Sequence, residues 1–402
     1  MTTGNHRIMK PQALAGIRVL DLTQIYQGPY ATFLMAMAGA EVIKVEPPGG
    51  ERTRRGGGAN TPLAFAMLNS NKKSLTLDLK KPAAKELLLS MVEQADVVCE
   101  NFAPGTMARL GLGWEVLRAR NPRLIYGAAN GYGSFGPDWD QLAMDHTIQA
   151  ASGIMSITGE AGGPPARAGG QVCDFMGGIH FYGALMTALL GRERTGVGTR
   201  VESAMIEAIY FNPSSEYSHY HRTGEIPPRR GDKSAGQTAP YGRYQCSDGW
   251  VALIVVSEPQ WKSLCRLIGR EEWADDPAFG GPVQRYEHED AINAAISAWT
   301  GTRSRDEAFA AMRSARLAVA PVRDVVEVMN DPHLHARGML HRMQHPYMGD
   351  VVLPGSPLRL LDYETEALQF FPEAGADSAA VLGEWLGLDA GAVEGLRAEG
   401  VV

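Results

Sequence analysis

Apolar and polar positions follow two alternating rhythms through the first two hundred residues. Short runs dense in apolar and β-branched residues, Arg18–Leu22, Glu41–Glu46, Leu75–Leu79, Asp96–Glu100 and Leu124–Gly127, predict strands. Between them lie stretches with helical spacing: Tyr30–Ala38, closed by Gly39 as a C-cap, and Ala83–Glu93. Strand–helix–strand order with short connections predicts an α/β fold, a doubly wound Rossmann-like parallel sheet. The rhythm then changes. Residues 217–238 are rich in Tyr, His, Arg, Gly and Pro and read as a connector. Tyr241–Gln245 and Trp250–Val256 predict a strand pair about the turn at Ser247–Gly249. Helices follow near Gln260–Ile268, Ala291–Trp299 and Arg305–Ser314, and the tail from Ala376 to Leu396 is again helical.

Composition narrows the class. The 402 residues are 45% hydrophobic and 21% charged, ordinary for a soluble globular chain of two or three domains. A net charge of −7 gives no global field for nucleic acid or an anionic membrane, so an anionic ligand requires locally gathered cations. The four cysteines (Cys99, Cys173, Cys246, Cys265) show no CxxC spacing, which predicts reduced thiols and no metal site. Met1–Pro11 is polar, and no stretch approaches the roughly 18 uninterrupted apolar residues of a membrane span. The expected location is cytoplasmic.

The candidate chemistry sits mostly in the predicted loops. After the first strand, Gln24–Pro29 holds one glycine where a dinucleotide fingerprint needs three, and no GxxxxGK[ST] pattern exists. Pro29 in the first helical turn leaves N–H groups free at a positive helix end. Cations gather at Arg52, Arg54 and Arg55, before Gly56–Gly58, and at Lys72 and Lys73 within Asn69–Ser74; both groups could surround phosphates or be solvated surface. Glu100–Gly105 lies at a strand's carboxyl end, where open α/β sheets bind ligands. One carboxylate, Asp174, stands in an apolar, glycine-rich segment, Gly169–Gly178, as either a buried structural acceptor or a nucleophile. In a locally extended segment Cys173 and Asp174 point to opposite faces, so one of them faces a ligand, and Asp174 is the candidate.

These pieces, in this order, resemble the family III CoA-transferases, a group that includes α-methylacyl-CoA racemases. The matching segments are Leu14–Asp21, Gly39–Gly50, Leu68–Ser74, Glu100–Gly105, Asn121–Tyr126, Gly131–Gly133 with Gly136-Pro137, the Asp174 segment, Ala320–Val322, Asp331–His333 with Ala336–Met339, and Leu353–Pro357. The resemblance implies an interlocked homodimer. It implies a large domain made from residues 1–215 and 321–402, a linker at 216–238, and a smaller α+β domain at 239–320.

It further implies that Asp174 is the nucleophile of a transferase moving CoA between an acyl-CoA and a carboxylic acid, through a covalent aspartyl intermediate. A carboxylate with an ordinary pKa near 3.9 is ionised at neutral pH and needs no general base. CoA esters are then substrates, with no permanently bound cofactor. By position, Asn101, Phe102, Arg109 and Leu110 would line the CoA pocket, Tyr26 and Gln27 would lie over the thioester, and Arg52, Lys72 and Lys73 would meet phosphate. Glycines 169, 170, 177 and 178 would let backbone approach the ligand. Two departures stand out: Tyr26 replaces the glutamine of formyl-CoA transferases, and Arg229–Gln237 lacks their run of four glycines. The alternative is a 2-methylacyl-CoA racemase, which needs a histidine opposite Asp174. Here that position is Met144, with His146 two residues later. His219 and His221, in the connector, are further candidates for substrate contact.

Overall fold

The computed structural model of the chain describes residues 12–54, 63–233, 238–345 and 348–402. Arg55 and Gly56–Gly58, together with Ser234–Gln237, lie outside the described residues. Two compact units emerge: residues up to Ser152 with Gly169–Phe211 and Asp331–Val402, and Gly153–Ala168 with Asn212–Asn330.

Elements are numbered along the whole chain. The first unit contains β1 (Arg18–Asp21), α1 (Gln27–Met37), β2 (Glu41–Glu46), α2 (Leu63–Asn69), β3 (Lys73–Thr76), α3 (Pro82–Val92), β4 (Val97–Glu100), α4 (Thr106–Arg109), α5 (Trp114–Arg120), β5 (Ile125–Asn130) and α6 (Asp145–Ala151). After an excursion into the second unit it resumes with α8 (Val172–Thr195), β6 (Thr199–Ala204) and α9 (Met205–Ile209). It closes with α16 (Pro332–Ala336), β10 (Leu340–His345), β11 (Gly349–Pro354), α17 (Ser378–Leu386) and α18 (Ala390–Ala398).

Six of these strands form one parallel sheet in the order β3-β2-β1-β4-β5-β6. Successive side chains point to opposite faces, and both faces are covered. Leu20, Ile43, Leu75 and Val98 pack with α3, α5, α17 and α18. Val19, Val42, Val97 and Ile125 pack with α1 and α8. The order reverses between β1 and β4, so the loops leaving these two neighbours diverge and open a crevice at their carboxyl ends.

The second unit is built separately. Its elements are α7 (Ile154–Ile157), α10 (Ser214–Thr223), β7 (Tyr241–Gln245), β8 (Trp250–Ile254), α11 (Glu258–Leu267), α12 (Pro282–Glu287), α13 (Glu289–Thr300), α14 (Arg305–Ser314), β9 (Ala318–Pro321) and α15 (Val325–Met329). An antiparallel sheet, β7-β8-β9, packs on a core where Trp261, Trp273 and Phe279 stack. Ser257 and Ser304 open α11 and α14 as capping boxes.

Two sequence expectations change here. The segment 1–215 is interrupted, because Gly153–Ala168 goes with the second unit: Arg229 donates to the carbonyls of Ser156 and Gly163, and Arg243 pairs with Glu160 at 2.5 Å. The connector begins as a helix, since α10 runs through Thr223 before Gly224 ends it in the left-handed conformation.

Candidate active site

Asp174 is not in an extended segment. It lies in the first turn of α8, a 24-residue helix whose N-terminus is capped from another element. The Asp145 carboxylate, at the head of α6, accepts the N–H groups of Cys173 (2.7 Å) and Asp174 (3.2 Å), and Gln149 Nε2 holds its other oxygen at 2.7 Å. Neighbouring residues on a helix diverge by about 100°. Cys173 therefore turns into the core while Asp174 faces a cavity, and burial, with Asp145 and Asp174 beside it, pushes the Cys173 thiol up to about 12.

That cavity, of about 290 Å³, is lined by Ile25, Gln27, Arg52, Asn101, Phe102 and Asp174, with Met144 and Leu142 on its far side. It sits at the switch point, where the β1 and β4 loops meet. Gln27 begins α1 and no side chain caps that helix. Its backbone N–H lies on the Asp174 side and favours the charged carboxylate, and its side-chain amide is fixed on the carbonyls of Ser203 (3.0 Å) and Asn130 (3.3 Å). Asp174 is 7% exposed. Burial, reinforced by the Asp145 carboxylate, raises its carboxyl from 3.8 to about 7, and the Gln27 N–H offsets only part of this. Burial thus works against the full ionisation expected at neutral pH.

Asp145 escaped the sequence reading because a cap from a distant segment has no local signature. Asp145→Asn keeps an acceptor for the two α8 N–H groups but removes the like charge. The acidic limb of activity attributable to Asp174 is expected to move down by roughly one pH unit, checked by a pH profile of kcat/KM.

The turn that aims Gln27 is strained. Ile25, a β-branched residue, adopts φ +68°. Asn101 imposes this: its side-chain oxygen accepts the Gln24 N–H at 2.7 Å and its nitrogen donates to the Gln24 carbonyl at 2.7 Å. Glycine relieves strain of about 1–3 kcal/mol and gives back roughly 1 kcal/mol as unfolded-chain entropy. Ile25→Gly is therefore expected to raise stability by about 1 kcal/mol, read from urea unfolding.

The cavity thus gathers Gln27, Arg52, Asn101 and Phe102 around Asp174. Phe102 also lines a neighbouring 270 Å³ cavity with Leu110 and Lys80, a lysine the sequence reading did not single out. Tyr26 turns away to an apolar cavity and meets Phe175 edge-on at 6.1 Å. Arg109 folds back on Pro104 and Thr106.

The single chain gives three of the expected ligand contacts other partners. Lys72 is fully buried, 2.9 Å from Asp21 and bonded to Thr32, Asn69 and Pro29, so it has no surface for phosphate. Lys73 points to the amino end of the sheet, where it pairs with Glu41 at the head of β2 and with Glu384. Gly177 and Gly178 admit α1 rather than a ligand: a Cβ there would come within 2.6 Å of the Gln27 side chain and 2.7 Å of its carbonyl.

Within the first unit, neither His146 nor His180 lines the Asp174 cavity. His146 is exposed on α6 and does not line the cavity, which Met144 reaches instead. His180 is exposed and bonds the Met176 carbonyl. His219 and His221 lie on α10 of the second unit. Among the described residues no group of three or more His, Cys, Asp or Glu side chains could hold a metal ion.

Comparisons with known proteins place the whole chain. The chain is 35% identical to a formyl-CoA:oxalate CoA-transferase of Streptomyces avermitilis over 412 aligned residues, covering 97% of this chain and 100% of that one. A formyl-CoA:oxalate CoA-transferase of Rhodopseudomonas palustris (strain BisA53) is 33% identical, with 94% of each covered. The crystal structure of a CAIB/BAIF family protein from Brucella suis superposes with a TM-score of 0.82 at 30% identity, covering 94% of this chain and 100% of that one. The model of CoA-transferase family III matches residues 14–378, nearly the full length that the sheet and the Asp174 crevice occupy, and the chain belongs to that family.

Proposed function

We propose that the protein transfers CoA between an acyl-CoA donor and a carboxylic acid acceptor, with Asp174 as nucleophile. The observation that carries this is a buried carboxylate at a sheet's switch point, met by the uncapped N-terminus of α1. The relatives' activity supports the same class of exchange.

The Asp174 carboxylate attacks the thioester carbonyl, forming an aspartyl–acyl anhydride and expelling CoA thiolate. The thiolate attacks the aspartyl carbonyl, releasing the donor acid and leaving an aspartyl–CoA thioester. The acceptor carboxylate attacks that thioester, and the expelled thiolate then takes the acceptor acyl group from the new anhydride, restoring Asp174. Each bond formed is close in energy to the one broken, so no external energy source is needed. The Gln27 N–H is positioned to stabilise the oxyanion on the aspartyl side. Its partial positive charge, at a helix N-terminus, favours the same anion.

CoA would run along Phe102, with Arg52, Lys80 and Leu110 meeting its nucleotide end. Asn101 acts here by holding Gln24. A second copy of the chain is part of this reading: Phe135, Leu142 and Phe211 are each more than three-quarters exposed in the single chain, large apolar side chains that a partner would cover. The four cysteines are free and buried, compatible with a reducing cytoplasm.

Incubation with a panel of acyl-CoAs, followed by hydroxylamine and peptide mass spectrometry, tests the mechanism. A hydroxamate or chain cleavage at Asp174 is expected. No adduct with any ester, together with deuterium uptake from heavy water at the α-carbon of a 2-methylacyl-CoA, would replace the transferase with a racemase.

A further inference from the structure

Behind the Tyr26–Phe175 pair lies a second cavity, of about 220 Å³. Its wall is formed by Tyr26, Tyr30, Phe33, Met67, Phe175 and Met339, and among the described residues lining it there is no Lys, Arg, His, Asp or Glu. Two of its lining residues are chain neighbours of the reacting centre. Phe175 follows Asp174 on α8, and Tyr26 precedes Gln27, which lines the Asp174 cavity. Phe175 meets Tyr26 at 6.1 Å and Tyr30 at 5.0 Å, both edge-on, yet its ring remains 37% exposed. An apolar ring left open beside a buried nucleophile is a surface awaiting an apolar contact.

We propose that this cavity is the acyl pocket, and that the enzyme takes apolar acyl groups, aromatic or branched aliphatic, rather than formyl or dicarboxylic ones. The assignment rests on the transferase reading above and names its substrate class. An apolar cavity of about 150 Å³ holds benzene, so this one accommodates an acyl group of roughly four to eight carbons. A formyl group would leave it unfilled. The second carboxylate of an oxalyl or succinyl group would enter it without a cation to meet it and lose its hydration. Met67 and Met339 are unbranched and adaptable, so several apolar shapes fit. The selectivity is therefore by polarity first and shape second.

The test is a donor panel with the purified full-length protein: phenylacetyl-, benzoyl- and isovaleryl-CoA against formyl-, oxalyl- and succinyl-CoA, with acetyl-CoA as the small reference. Acetate and phenylacetate serve as acceptors, and CoA transfer is followed by chromatography. A misplaced methylene is worth about 10–200-fold in kcat/KM, and a stranded carboxylate more, so the apolar donors are expected to lead the dicarboxylic ones by at least about 100-fold.

Ala64 also borders the cavity. Ala64→Phe would fill it, lowering the phenylacetyl-to-acetyl ratio of kcat/KM tenfold or more; Met67→Trp provides the same reading should that variant fail to fold. Transfer that is fastest with formyl- or oxalyl-CoA, or a ratio indifferent to both substitutions, overturns the pocket and leaves the transferase standing. No transfer with any donor and acceptor overturns the transferase reading, and the pocket with it.

Discussion

Asp174→Asn is expected to lose CoA transfer by about 10⁴-fold or more and, at alkaline pH, to be more stable than the native chain. The two effects share one cause. The folded-state value of Asp174, about 7, lies above its ordinary 3.8, so folding favours the protonated side chain. That contribution is complete below about pH 4 and is lost as the pH rises through 7, because the unfolded chain releases its proton earlier. At about 1.4 kcal/mol per pH unit, the ionised carboxylate withholds up to about 4 kcal/mol above pH 7. Asparagine escapes this term, and its side-chain oxygen can still accept the Gln27 N–H. Thermal unfolding at pH 8 should place the variant several degrees above the native chain, with the gap closing toward pH 4. Coincident midpoints at pH 8 would mean that the carboxylate is not desolvated. The rate of CoA transfer should rise with pH through the same range, since only the ionised form attacks.

Lys72→Met is expected to cost about 3–5 kcal/mol of stability, the usual penalty for leaving one partner of a buried ion pair alone. The three N–H groups of Lys72 are shared among four acceptors within reach: Asp21 Oδ2 (2.9 Å), Thr32 Oγ1 (2.8 Å), Asn69 Oδ1 (2.9 Å) and the Pro29 carbonyl (3.1 Å). Burial alone would raise Asp21, but Lys72 and then Lys44 outweigh it and hold the carboxyl down to about 2. Methionine has the length to fill the space and no donor for the carboxylate. Guanidinium unfolding reads the loss directly. Asp21→Asn in the same chain should recover most of it, because the stranded charge is then gone. A phosphate-binding Lys72 behaves differently: the variant would keep its stability and show a raised KM for every acyl-CoA.

Residues whose neighbours are local were legible in the sequence, and residues defined by distant neighbours were not. The strand at Glu41–Glu46 could be read because the sheet buries nearly all of it, and pattern alone marks such a run. The helix carrying Asp174 was read as an extended, glycine-rich segment, since Gly177 and Gly178 look like loop residues until α1 is seen pressed against them. Lys72 and Lys73 read as one basic pair, yet their partners lie 51 and 32 residues away and point them to different places. Asp174 was legible as a candidate from its glycine-rich segment, while its proton affinity depends on Asp145, 29 residues earlier and visible only as a helix cap. Arg52, Asn101 and Phe102 came from positional resemblance, and the geometry gives Asn101 a second task, the Gln24 clamp.

The pairing of β3 with α17 sets a schedule for the newborn chain. The Ser74 N–H donates to Asp377 and its hydroxyl accepts from the Gly375 N–H, while the Thr76 N–H donates to the Ser378 hydroxyl, across 301 to 303 residues of sequence. Leu75 and Leu88 share a core with Val381, Leu382 and Trp385. Translation at roughly 5–20 residues per second places those two halves about 15–60 s apart at the ribosome. The second unit, formed from the intervening stretch, has time to fold completely while the first still exposes one apolar face of its sheet. A ribosome-stalled chain ending before α17 should therefore be cut by protease in β1–β5 and spared in β7–β9, and its survival in the cell should depend on a chaperone that shields that open face.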